Sequence, residues 1–367
     1  MKEHIGHREA LTLLIIVISG KIFLSFPRDM ALLGEAAGWF IVLLSGILSM
    51  IGFLFIYFLV RKFPGQNIIE IARVIGGPII GGAIGTIFFL FFLTITSLFL
   101  RQFVESFILS ILPRTPISVI TSCLLVLVIY GCLLGIETIS RVAWFFGPYL
   151  LLGLVIIVSF SLSHADIQHL APVLGTGPLK LLKASGQNIS LFSEILLFGL
   201  IAPLIANKSK ILGVGIYSIV IAMLINMVTV AIVVLVFNYI AASELIFPVF
   251  QLARLISLEE FIQRVEAVFV FLWFFTAAIQ LLGLFYGTVT SFAQAFRIRD
   301  YRPLSIPIAV LVFTISLIPT SMTQAVIVND FQIGKYYSVI AFGVPLLLWL
   351  TSLIIKKNQG DQTNENE

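Results

Sequence analysis

The chain has 367 residues, of which 59% are hydrophobic and only 11% charged, and its mean hydropathy is +1.11. So little polar surface cannot enclose a water-soluble core, and the alternating ten-residue segments of a membrane barrel are missing, which leaves helical spans of roughly 20 residues in a bilayer. The net charge of +4 does not mark a nucleic-acid binder, because the Lys and Arg residues sit at the ends of apolar stretches rather than in a stripe.

Ten spans are expected, over about 9–27, 37–60, 82–110, 116–135, 141–162, 186–206, 211–239, 261–292, 303–320 and 335–355, in one transmembrane domain covering 1–357. With a cytoplasmic N-terminus, the inside ends collect Arg61, Lys62, Lys208, Lys210, Lys356 and Lys357, and the outside ends hold fewer cations. That bias puts both termini inside and agrees with an even number of spans. The first apolar run, Ala10 to Pro27, is interrupted by Ser19-Gly20-Lys21, and a solvated loop with Arg28, Asp29 and Glu35 is expected to follow. After span two, residues 67–74 read as an amphipathic helix at the inner interface.

Span three opens with Gly77, Gly81 and Gly85, a small-residue stripe suited to close helix packing, and carries Thr94, Thr96 and Ser97 at its middle. Arg101 and Glu105, then Glu137 and Arg141, stand one helical turn apart and can pair. Cys123 and Cys132 share one apolar span and read as small hydrophobes. In the following loop His164, Asp166 and His169 lack a fourth ligand and a closing scaffold, so no metal site is expected.

Span six is the stretch around which the chain is organised. Glu194 lies near its middle, between Ser193 and Gly199, where an unpaired carboxylate costs at least ~2.5 to 3.5 kcal/mol. Ser19-Gly20-Lys21 in span one matches Phe192-Ser193-Glu194 in span six, with opposite charge at the matching place. Interrupted helices in corresponding positions of two halves point to a transporter-type binding site. The two residues are expected to pair, the alternative being that Lys21 snorkels outward.

Span seven is long and nearly unbroken, with Asn226 as its interruption, and the connection beyond it carries Arg254, Glu259, Arg264 and Glu266 around a short surface helix. In span eight Trp273, Thr276 and Gln280 fall on one face. Residues 358–367 form a polar tail expected to be disordered. No Walker A sequence, dinucleotide fingerprint or Ser/His/Asp arrangement is present, so nothing points to catalysis, and no cofactor is expected.

The run Phe247-Pro248-Val249-Phe250-Gln251-Leu252-Ala253-Arg254-Leu255-Ile256, continuing through Phe261-Ile262-Gln263-Arg264-Val265-Glu266 to Trp273, resembles the signature region of the spore germination permeases, the integral-membrane B subunits of GerA-type germinant receptors. Chain length, the Ser193-Glu194 region and Asp300-Tyr301-Arg302-Pro303 are similar as well. The resemblance implies an all-α amino acid–polyamine–organocation transporter fold: two inverted five-helix repeats, here about 9–162 and 186–355, with spans one and six unwound at mid-membrane. It also implies a larger A subunit and a lipoprotein C subunit as partners in the inner membrane of an endospore. The germinant would be a small nutrient, an amino acid first, and the competing function is proton- or sodium-coupled amino acid transport.

On this basis Ser19, Gly20, Lys21, Thr94, Ser97, Ser193, Glu194, Trp273, Thr276 and Gln280 are the expected ligand-binding residues, and Arg254, Glu259, Arg264 and Glu266 the expected partner-coupling residues.

Overall fold

A computed structural model describes residues 4–255 and 265–364, with 265–268, 322, 330–332 and 355–364 described as backbone alone. Regular structure among them is helical, apart from one parallel bridge between Ile5 and Ile205. Eight helical stretches are long and apolar enough to cross a membrane: Phe26–Lys62, Ile68–Ser110, Ile117–Leu134, Ile136–His164, Pro178–Leu204, Lys208–Glu244, Phe269–Ala295 and Thr323–Ile354. Two of the ten expected spans are shorter. The first helix, α1 (His7–Ser19), stops where Gly20 opens a 3-10 turn, and the ninth is the apolar stretch Arg302–Ser316, which contains α12 (Ser305–Ser316).

The expected loop after span one is instead a helix, α2 (Phe26–Gly34), with Pro27 in its first turn, where a missing N–H costs nothing. Asp29 is therefore not solvated: it is only 6% exposed and accepts a hydrogen bond from Ser25 Oγ at 2.9 Å. A 3-10 turn leads into α3 (Gly38–Lys62). The interfacial helix expected at 67–74 is the head of a longer one, α4 (Ile68–Ser110). Asn67 caps it, accepting from the Ile69 and Glu70 amides at 3.0 Å, while Glu70 Oε2 accepts from the Asn67 amide at 2.9 Å.

The three glycines of α4 do different things. Gly77, at φ +80°, makes the kink that turns the head away, a conformation strained for any residue with a side chain. Gly81 abuts Arg73 of that head, and only Gly85 meets a neighbouring helix, its missing Cβ leaving room for the Ala295 backbone. That contact belongs to the most extensive helix pair of the fold, α4 against α11 (Val265–Ala295).

Between these elements lie α5 (Ile117–Leu134), α6 (Ile136–Ser161), α7 (Pro178–Gln187), α8 (Leu196–Ile201), α9 (Ile211–Glu244), kinked at Asn238, and α10 (Pro248–Leu255). The last span alternates between two geometries: α13 (Met322–Val326), a π segment Ile327–Ile333, α14 (Gly334–Ser338), a second π segment Val339–Gly343, and α15 (Val344–Asn364). Residues 358–364, expected as part of a tail, continue α15 as helix.

Candidate functional site

Two helix interruptions face each other. The chain leaves α1 through the 3-10 turn Gly20–Phe23 and an extended Leu24. It leaves α7 through the 3-10 segment Ile189–Ile195 and resumes helix at α8. Backbone that departs from the helix ladder at membrane depth is tolerated where protein or a cavity satisfies its polar groups. Lys21 does this for one of them, donating from Nζ to the Leu191 carbonyl at 2.5 Å. The same Nζ lies 2.8 Å from Glu194 Oε1, with 15% and 6% of the two side chains exposed, so the pair ties the two interruptions together.

A cavity of about 290 Å³ opens beside this pair, just below the usual range for ligand pockets, roughly 300–1,000 Å³. Lys21 and Glu194 line it, joined by Gln280 of α11, Asp29 of α2 and, at an exposed rim, Lys335 of α14. Met30, Leu33, Ile95 and Phe99 supply an apolar wall. Glu194 Oε2 and Gln280 Oε1 are buried and have no hydrogen-bond partner, and the neighbouring Ser193 Oγ has none either. Buried acceptors are nearly always satisfied in folded proteins, so two orphans lining one cavity fit a donor-bearing ligand or water. Together the lining offers an ammonium to a carboxylate, carboxylates to an amine, and an apolar surface to a side chain.

The expected site residues separate into groups. Lys21, Glu194 and Gln280 come together at the cavity, and Gly20 packs directly on Gln280, whose carboxamide would collide with any Cβ at Gly20. Ser19 and Ser193 are buried beside the cavity without lining it, Ser19 Oγ donating to the Ile15 carbonyl at 2.6 Å. Thr94 and Ser97 lie off the cavity face and bond to their own helix, at the Leu90 and Leu93 carbonyls. The face of α4 that lines the cavity is Ile95, Phe99 and Gln102, at spacings of four and three. Thr276 donates to the Leu272 carbonyl at 2.8 Å, and Trp273, 1% exposed, sits in an aromatic cluster with Phe103, Phe107, Phe247, Phe250 and Phe269.

Helix α10 lays Phe250 and Leu252 into the body and leaves Arg254 exposed, its guanidinium 5.9 Å from the Phe250 ring. Glu259, Arg264 and the Glu266 side chain lie outside the described residues. In the loop after α6 Asp166 accepts from the Gln168 amide and His169 Nδ1 meets the Leu235 carbonyl; no cluster of three His, Cys, Asp or Glu able to hold a metal occurs among the described residues.

Sequence reasoning missed Asp29, Gln102, Asn329, Lys335 and Tyr337, all of which line the cavity. A signal existed for Asp29: Ser25 and Asp29 stand one turn apart around Pro27, a pattern of helix start as well as of loop.

The family model described as spore germination protein matches residues 4–325. Spore germination protein KB of Bacillus subtilis (strain 168) is 25% identical over 370 residues, covering 99% of this chain and 98% of that protein. Spore germination protein A2 of the same organism is 26% identical over 358 residues, 93% of each chain, and spore germination protein GerLB of Bacillus cereus is 25% identical over 389 residues, 98% of this chain and 97% of that one. Among solved structures, a substrate-bound, outward-open Na+-coupled sialic acid symporter superposes with a TM-score of 0.56 at 12% identity, over 92% of this chain and 76% of that one. A nucleobase-cation-symport-1 family transporter, closed with bromovinylhydantoin bound, gives 0.55 at 15% identity, over 96% and 90%. At such identities the likeness carries the fold alone. A multi-pass helical membrane protein with a transporter fold, this chain belongs to the spore germination protein family.

Proposed function

We propose that the chain is the integral-membrane subunit of a spore germinant receptor and that its cavity binds a small nutrient, an amino acid first. Binding is signalled to a larger A subunit and a lipoprotein C subunit in the inner membrane of the endospore, with both termini of this chain in the cytoplasm. The observation that carries this reading is the Lys21–Glu194 pair, which joins both helix interruptions at 2.8 Å and borders a cavity with orphaned acceptors. An α-carboxylate competes for Lys21, an α-ammonium competes for Glu194 and meets Gln280 Oε1, and the apolar wall takes the side chain. A ligand that exchanges this internal pair for two contacts of its own favours the conformation in which the interruptions are no longer tied. The shift is limited by its differential affinity for the two states. Exposed Arg254 on α10 is the coupling position for an extracytoplasmic partner.

Spores lacking the gene, tested against a panel of single nutrients, reveal the germinant as the one whose response is lost and then restored by the wild-type gene but not by Lys21→Met. Loss of response to no nutrient in the panel counts against the receptor reading. A second reading, cation-coupled amino acid transport, is favoured by the fold shared with two symporters. Accumulation of a labelled amino acid in proteoliposomes under an imposed proton or sodium gradient would select it.

A further inference from the structure

A second cavity, of about 490 Å³, shares no lining residue with the first. It lies on the face that carries the N-terminal residues, since Leu204 lines it and accepts the Ile5 amide at 2.9 Å. Three elements close around it: the head of α4 before the Gly77 kink, the chain leaving α8, and the turn that ends α11.

Its chemistry is lopsided. Arg73, Arg297 and Arg299 line it, and the one carboxylate in the lining, Glu70, is committed to capping α4. None of the three guanidiniums forms an ion pair among the described residues. A bias of cations toward one face explains arginines at a membrane boundary, but it does not explain how Arg73 is held. Its Nη2 donates to the Gln294 carbonyl at 2.6 Å, while its Nε is buried with no acceptor at all. Arg297 adopts φ +57° at the end of α11, a left-handed conformation uncommon outside glycine, so the turn that brings Arg297 and Arg299 to the cavity departs from the preferred backbone. Tyr286 and Tyr301, edge to face at 5.4 Å, form one wall.

A planar guanidinium fork with an orphaned N–H, two further guanidiniums and no free carboxylate suit a group with several anionic oxygens. We infer that this cavity binds a phosphate-bearing anion, either a soluble phosphorylated metabolite or the headgroup of an anionic phospholipid. Bound there, the anion bridges α4, α8 and α11, which also carry or adjoin the first cavity: Glu194 lies two residues before α8, and Gln280 lies on α11. The site does not depend on which nutrient occupies the first cavity.

Equilibrium dialysis of the detergent-purified full chain against labelled pyrophosphate tests the soluble source. Unfolding temperature in phosphatidylcholine nanodiscs, with and without phosphatidylglycerol, tests the lipid source. Arg73→Gln and Arg299→Gln should each weaken pyrophosphate binding about ten- to hundredfold, the range for a charge-assisted hydrogen bond. Arg141→Gln, whose arginine pairs with Glu137 elsewhere, should leave it unchanged. Arg299 is exposed, so its variant decides the matter if Arg73→Gln does not fold. Stabilisation by phosphatidylglycerol alone, lost in Arg299→Gln, assigns the headgroup. Absence of both effects, or effects equal in Arg299→Gln and Arg141→Gln, overturns the proposal.

Discussion

Replacing Lys21 by methionine removes the charge while keeping an unbranched side chain of similar reach. In the wild-type fold Glu194 has 6% of its side chain exposed, one oxygen on Lys21 and the other on nothing. Without Lys21 that carboxylate is left buried and uncompensated, a loss of about 3 to 5 kcal/mol. Glu194→Gln is milder. Lys21 keeps the Leu191 carbonyl, is 15% exposed, and finds a neutral acceptor in the new amide, so the loss is that of one charge-assisted hydrogen bond, about 1.5 to 3 kcal/mol. Equilibrium unfolding of the purified chain in mixed micelles measures both. The charge-swapped double variant, Lys21→Glu with Glu194→Lys, should recover more than half of the Lys21→Met deficit, with a remainder because the carboxylate introduced in span one would face the Leu191 carbonyl. A Lys21→Met loss below about 1 kcal/mol, the size of an exposed surface pair, would refute the reasoning. So would a swap no more stable than the worse single variant.

Asp29→Asn, which keeps an acceptor for Ser25, should raise the half-maximal concentration of an amine-bearing germinant about tenfold in a spore germination assay. Gly20→Ala should depress the response by forcing Gln280 aside, and Gln280→Ala in the same chain should relieve the collision without restoring affinity; equal responses from wild type and Gly20→Ala contradict the close approach. Gly85→Leu should destabilise the α4–α11 contact by roughly 1 to 3 kcal/mol in the unfolding assay, whereas the same change at Gly82, where a Cβ meets only Ala295 O at 3.7 Å, should cost less. A photo-crosslinking residue at Arg254 should capture another receptor subunit in assembled membranes, and capture of lipid alone would remove α10 as the coupling surface.

The central pairing was legible because charge is rare in this chain. One cation and one anion, each interrupting an apolar run beside a small residue, need a reason in hydrocarbon, and each supplies it to the other. Rotation about the helix axis was not legible. α4 is buried on most sides through its central turns, so its apolar pattern has no phase, and Thr94 and Ser97 stood out by polarity although Ile95, Phe99 and Gln102 face the cavity. The last span hid its contribution for a related reason. Its first π segment, Ile327–Ile333, contains Asn329 and shifts the register ahead of Lys335 and Tyr337, so a regular helical wheel does not relate the three residues that line the cavity. Asp29 was obscured by convention: an acidic residue just after a proline at a span end reads as a solvated loop, whereas the chain folds it inward as α2.

The claim that a germinant occupies the cavity between the two helix interruptions is tested most directly by thiol protection. Ser190 lines that cavity and is half-buried, Cys132 is buried, and exposed Cys123 can be replaced by serine to remove the background. In receptor carrying Ser190→Cys, the nutrient identified by the germination panel should slow modification by a water-soluble thiol reagent at concentrations that trigger germination. It should leave a cysteine at Ser163, on the exposed loop after α6, labelled at an unchanged rate. Unchanged labelling of Ser190→Cys at a germinant concentration that saturates the response would contradict the account.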